Sequence, residues 1–142
     1  MSEATFSRVF EIHGGDMASA GRVSTEIKDL LKGMGLSAAL VRRVAIASYE
    51  AEMNVVMYAR RAQLVLRVTP SQVDIDLVDE GPGIADISLA MQEGWSTATP
   101  EMREMGFGAG MGLPNIQRNS DEFTIGSTVG QGTHLTIRVH VA

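Results

Sequence analysis

The 142-residue sequence predicts an α+β two-layer sandwich, a mixed but mostly antiparallel sheet with helices covering one face. Three observations carry that prediction. Stretches of two-residue apolar alternation come in pairs joined by short turns, and short turns pair strands antiparallel. Two long segments with apolar residues at three- and four-residue steps follow one another near the N-terminus. Strands and helices do not alternate along the chain, which excludes a doubly wound parallel sheet.

Thr5 to His13, "TFSRVFEIH", reads as the first strand, with Phe6, Val9, Phe10 and Ile12 apolar. Gly14-Gly15 punctuates it, and Asp16 is placed to cap a helix running to about Met34. Ala20, Val23, Ile27, Leu30 and Leu31 give that helix one apolar stripe. "KGMGLS" closes it and offers Ser37 as the next cap. Ala38 to Arg61 then carries about six turns of helical pattern without glycine or proline. Gln63 to Val68 and Gln72 to Val78 read as a hairpin turning at Thr69-Pro70-Ser71. A glycine-rich stretch with one short helix follows. The chain ends with a helix from about Met111 to Ser120 and strands Glu122 to Ser127 and Gly132 to Val141, joined by "TVGQG". No repeat, low-complexity tract or linker divides it, so one domain over residues 1–142 is expected.

Composition narrows the function classes. The chain is 44% hydrophobic and 20% charged, as soluble globular proteins are, and it contains no cysteine. A disulfide framework and a cysteine metal site are excluded. "MSEATFSRVFEIHGGD" has neither the apolar run of a signal peptide nor that of a membrane span, so a cytoplasmic location is expected. Net charge is −5, and the longest basic runs are the pairs Arg42-Arg43 and Arg60-Arg61. That argues against a nucleic-acid partner. The two lysines, Lys28 and Lys32, share one helix. An anionic ligand would therefore depend on backbone N–H groups, a metal or a few arginines.

Four local patterns carry chemistry. "GFGAGMGL" puts glycine at 106, 108, 110 and 112 ahead of a helix, where successive N–H groups turn towards one anion; a plain surface loop has the same composition. Met111 breaks the dinucleotide fingerprint, and the absence of any Gly-Lys pair excludes a P-loop. Glu50 and Asn54, four residues apart on the long helix, share a face and suit a base with a Mg²⁺ ligand, or a solvated acid with a networked amide. Glu52 lies about 200° round the helix from Glu50, so the two acids have different roles. "VDEGPGI" ends a strand in Asp79 beside a turn at Gly81-Pro82-Gly83, which fits an acceptor for an exocyclic amine or simply a turn. Gly132-Thr133 opens the last strand.

Taken together and in this order, E-x-x-x-N, D-x-G-x-G, G-x-G-x-G-L and G-T resemble the four boxes of the GHKL ATPase superfamily, whose members share the Bergerat ATP-binding fold. By motif the resemblance runs from Ala45 to Thr133, and by element order over the rest. Within that superfamily "DEGPGIADISLAMQEGWST", "GFGAGMGLPNIQRNSDEFTI" and "GQGT" are similar to the stand-alone serine/threonine kinases of bacterial anti-sigma-factor and stressosome switches. The resemblance implies ATP and Mg²⁺ as cofactors and a STAS-domain protein as substrate, with a sigma factor or phosphatase as further partner and dimerisation through the sheet edge. It implies Glu50 as general base, Asn54 as Mg²⁺ ligand, and Asp79 as adenine acceptor assisted by Gly83 and Thr133, with Gly81 in the adenine-side turn. Gly108, Ala109, Gly110, Met111, Gly112 and Leu113 would face the phosphates.

His13, His134 and His140 all fall on strands, unlike a helical phosphoacceptor histidine. Met57 stands where many relatives carry Lys or His. Ala98 to Met105 lengthens the lid between the two glycine loops, and its Arg103 suits either solvent or phosphate. Trp95 suits packing or a partner. Met53 reads as core filling, Met102 and Met105 as lid or partner contacts. A nucleotide-gated binding module without turnover is the alternative function, and a fragment of a two-component system a third.

Overall fold

The computed structural model describes residues 5–92 and 112–141. Its elements are strand β1 (Phe6–His13), helix α1 (Arg22–Gly33), helix α2 (Ala38–Tyr58), strands β2 (Arg61–Val68) and β3 (Gln72–Glu80), short helix α3 (Ile87–Ala90), helix α4 (Gly112–Arg118), and strands β4 (Glu122–Thr128) and β5 (Gly132–His140). The strands form one sheet in the order β1-β2-β3-β5-β4, and every ladder among the described residues is antiparallel. The α+β sandwich expected from the pattern is the architecture found.

Alternation fixes which face of the sheet is inside. Phe10 and Ile12, Ala62, Leu64 and Leu66, Val73, Ile75 and Leu77, and Leu135, Ile137 and Val139 all point one way and are buried. Slipping any strand by one residue would turn this set to water. α1 and α2 cover that face with Val23, Ile27, Leu31, Val44, Ala47, Ala51 and Val55. The β2–β3 turn falls at Thr69-Pro70-Ser71, where the Thr69 hydroxyl accepts from the N–H groups of Ser71 and Gln72 at 3.3 and 3.2 Å. Ser37 caps α2 as its position suggests, accepting from Leu40 N–H at 3.2 Å.

Two helix boundaries differ from the sequence reading. Asp16 caps only a single 3₁₀ turn, Met17–Ser19, and Ala20 is extended, so α1 starts six residues after Asp16. The residue ahead of α1 is Gly21, at φ +93°, which has no side chain to cap with. Glu52 supplies the cap from α2. Its carboxylate, 2% exposed, accepts from Gly21 N–H (3.1 Å), Val23 N–H (3.2 Å) and Ser24 N–H (3.0 Å). The other boundary is the end of α2 at Tyr58, three residues before the apolar pattern stops. Gly15 N–H takes the Val56 carbonyl, Gly14 N–H takes that of Arg60, and Arg60 N–H donates to Glu80, so the chain is drawn into the sheet there. A Cβ on Gly14 would collide with the Ala59 carbonyl. Gly14-Gly15 is thus a close backbone crossing as well as a turn.

Removing the Glu52 carboxylate strands three N–H donors in the interior. Glu52→Ala is expected to cost about 2–4 kcal/mol of stability in denaturant titration, and Glu52→Gln about 1–3 kcal/mol, since one accepting oxygen survives. A loss for Glu52→Ala below about 1 kcal/mol would mean that water caps α1 equally well.

Candidate functional site

α2 is the spine of the site. Its helical period brings Glu50 and Asn54 to one face, both partly exposed, while Glu52, Val55 and Val56 turn inward. α4 docks against this face, burying Leu113, Pro114 and Ile116. Its first residue, Gly112, reaches Glu50 and Asn54 so closely that a Cβ there would stand 3.2 Å from Asn54 Oδ1 and 3.5 Å from Glu50 Oε2. Burial pushes the Glu50 pKa up, opposed by a hydrogen bond from the Asn115 side chain one turn into α4. Glu50 and Asn54 thus share a face, as their spacing suggests, and Gly112 joins them, as the resemblance implies. Leu113 belongs to the core, so only its backbone is free to face a ligand.

The second half of the site forms where β3 ends. Asp79 is half-buried, and its Oδ1 accepts from Thr133 N–H at 3.1 Å. Desolvation raises its pKa, with the Thr133 N–H working against that rise. Two turns lock this corner. Gly81 N–H donates to the Gln131 carbonyl at 3.1 Å, and Gly130 N–H to the Pro82 carbonyl at 2.8 Å. Gly83, at φ +74°, lies against the Thr128 carbonyl with no room for a Cβ, and Gly132 lies closer still to the Asp79 carbonyl. Asp79, Gly81, Gly83 and Thr133 thus come together. Gly81 also packs on Ala59, where a Cβ would stand 3.0 Å from its Cα. The Asp79 corner therefore sits at the C-terminal end of α2, about 13 Å of helix rise from Glu50.

Sequence reasoning overlooked Ser127, which ties this corner together. Its hydroxyl accepts from Ile84 N–H at 2.7 Å, donates to the Gly132 carbonyl at 3.0 Å, and lies 2.9 Å from Thr133 Oγ1. A hydroxyl has one proton, so Thr133 must be the donor in the last pair. The clue was available: Phe123, Ile125 and Ser127 alternate on β4, placing a polar residue on the half-buried side. Gly108, Ala109, Gly110 and Met111 lie outside the described residues, as do Trp95, Ala98 to Met105 and Arg103. Met53, at 4% exposure, is core. Among the described residues no cluster of three histidines or carboxylates forms a metal site, and no helix is long and apolar enough to cross a membrane.

This arrangement of a helix carboxylate and amide, a strand-end aspartate and two glycine turns has counterparts in known sequences. The chain matches the family described as the histidine kinase-like ATPase domain over residues 15–139. It belongs to that family. Among relatives of this ATPase domain, it is 30% identical over 112 residues to serine/threonine-protein kinase RsbT of Bacillus subtilis (strain 168), covering 76% of this chain and 78% of that one. It is 39% identical over 66 residues to the anti-sigma F factor of Thermoanaerobacter sp. (strain X514), and 38% identical over 66 residues to that of Caldanaerobacter subterraneus subsp. tengcongensis. Those two matches span 46% of this chain and 43% of each relative. An ATPase-type domain of the GHKL kind, related to a kinase and to anti-sigma factors, is what the chain is.

The raised pKa of Glu50 has a consequence for stability. A carboxyl whose folded pKa lies above its unfolded value stabilises the fold in its protonated form. That contribution is fully present below the unfolded value of about 4 and is lost as pH rises through the folded value. At pH 7 the ionised Glu50 is thus a net cost. Glu50→Gln should raise the melting temperature by a few degrees at neutral pH, and the gain should shrink as pH falls towards about 4. A lower melting temperature at pH 7 would show that the ionised group is stabilising.

Proposed function

We propose that this chain is an ATP- and Mg²⁺-dependent serine/threonine protein kinase of a partner-switching module, acting in the cytoplasm on a STAS-domain protein as a single ATP-binding domain. The observation that carries the reading is the Glu50 carboxylate. It is partly desolvated, of raised pKa, and in van der Waals reach of the place where Asn54 and Gly112 meet. The relationship to RsbT, a serine/threonine kinase by name, supports the reaction class.

The residues present fit the ligands. Gly112 leaves the space beside Asn54 Oδ1 that a Cβ would fill, and Asp79 offers a carboxylate that only Thr133 N–H engages among the described residues. A single amide oxygen suits Mg²⁺, which keeps waters and phosphate oxygens for most of its shell. ATP with its metal supplies the phosphoryl group and the neutralisation of charge on it. Asp79 accepts from the adenine amine, oriented by the Thr133 N–H and by the turn that Ser127 holds. Asn54 holds the metal. Glu50 takes the proton from the acceptor hydroxyl, and its raised pKa moves its basicity towards neutral pH. The anti-sigma F relatives favour a second reading, in which the same pocket gates sigma-factor binding without turnover.

Glu50 separates the two, because binding needs Asn54 and Asp79 but no base. Calorimetry should find ATP affinity that depends on Mg²⁺ and drops at least about tenfold in Asp79→Asn. Glu50→Gln should keep the ATP dissociation constant within a few-fold and lower phosphotransfer by about 10²–10⁴-fold. In the wild type the transfer rate should fall on acidification along a limb lying above the ordinary glutamate range. Undiminished transfer by Glu50→Gln rules out the base assignment, and no ATP binding by wild type rules out the kinase.

A further inference from the structure

Beside the nucleotide-facing side of Glu50 lies a groove between α1 and α2 of about 300 Å³. Ala45, Ile46, Tyr49 and Glu50 line it from α2, and Ser24, Thr25 and Lys28 from α1. Glu50 is therefore shared: it lines this groove and also stands against Gly112 and Asn54. A base that serves two substrates has to border both, and the groove is the second border. The walls are held in place, since Glu52, two residues from Glu50, binds the start of α1.

We propose that this groove seats the acceptor segment of the protein substrate, with an apolar side chain on Ile46 and Tyr49 and an acidic one facing Lys28. The inference rests on the kinase reading above. Three observations select this occupant. Tyr49 is 41% exposed, an aromatic anchor left uncovered, with its ring over Gly21. The chain carries a net charge of −5, yet Lys28 has no carboxylate partner among the described residues, nor does Arg42, one turn before Ile46 on α2. Unpaired cations along an otherwise acidic protein suit an acidic partner segment. The groove is also lined by the one carboxylate that the reaction would use, so a chain lying in it brings a hydroxyl to Glu50. On transfer the hydroxyl proton passes to Glu50, the hydroxyl oxygen bonds to the γ-phosphorus of ATP, and the bond from that phosphorus to the β,γ-bridging oxygen breaks to release ADP.

The test is steady-state transfer from ATP to a purified STAS-domain protein, with that protein titrated, beside direct titration calorimetry of the two proteins. Tyr49→Ala and Lys28→Glu should each raise KM for the protein at least about tenfold and weaken its binding equally, with kcat and ATP affinity within about twofold of wild type. Lys32→Glu makes the same charge change on α1 outside the groove and should leave KM unaltered. Tyr49→Phe, which keeps the ring, should resemble wild type. Wild-type transfer with KM unchanged in both groove variants overturns the groove while leaving the kinase intact. Equal loss in Lys32→Glu overturns it too, by reducing the effect to net charge. Neither transfer nor binding by wild type removes the STAS-kinase reading, and the groove with it.

Discussion

The Glu52 carboxylate organises more of this molecule than any other single group. Three N–H groups at the start of α1 have no partner within their own helix, and Gly21 offers no side chain. By accepting all three, Glu52 joins α1 to α2 through charge-assisted hydrogen bonds in the core. The same helix presents Glu50 and Asn54 on another face, so one rigid rod carries the capping acid and the desolvated one. What fixes α1 therefore fixes the walls around Glu50.

The carboxylates divide by environment. On the inner side Glu50 and Asp79 are desolvated and their pKa values rise. On the open face of the sheet the shifts run the other way. Partial burial works against Asp76, but hydrogen bonds from His134 and Thr136 hold its pKa below the usual range. Glu80 is likewise held low by Arg61, and Asp121, just before β4 and off that face, by Arg43 of α2 and by the His140 N–H. Groups held low stabilise the fold above their unfolded pKa and lose that contribution as pH falls through the folded value. The open face, with Arg138 on Asp74 and Arg67 near Asp76, is thus charged for solubility and register, each pair worth little alone. The inner pair costs stability where a ligand would compensate it, which is the pattern of a functional site.

Much of this was legible in the residues, and the misses share a cause. Alternation placed all five strands, because a half-buried strand writes its burial directly into period two. Ser37, the Thr69-Pro70-Ser71 turn and the Glu50–Asn54 pairing were readable because their partners lie within four residues. The start of α1 was not, since its cap comes from a glutamate 28 to 31 residues away. The end of α2 was not, since Gly14 and Gly15 set it from the other side of the fold. Ser127 was missed because its partners Ile84 and Thr133 belong to separate turns. Local pattern reports local partners, and tertiary capping leaves no trace in spacing.

The pairing of Asp79 with Thr133 sets the order in which the pocket can come into being. The two residues are 54 positions apart, and β5 lies between β3 and β4, so the corner does not exist until the last described strand has docked. Closing a loop of that length costs roughly 3–4 kcal/mol of chain entropy, offset only once the β3–β5 ladder is made. During synthesis Glu50, Asn54 and Asp79 all emerge long before Thr133 does. A nascent chain stalled before β5 would carry Glu50, Asn54 and Asp79 and still have no assembled Asp79–Thr133 corner. The Asp79 corner is therefore a property of the finished sheet, assembled last by chain order alone.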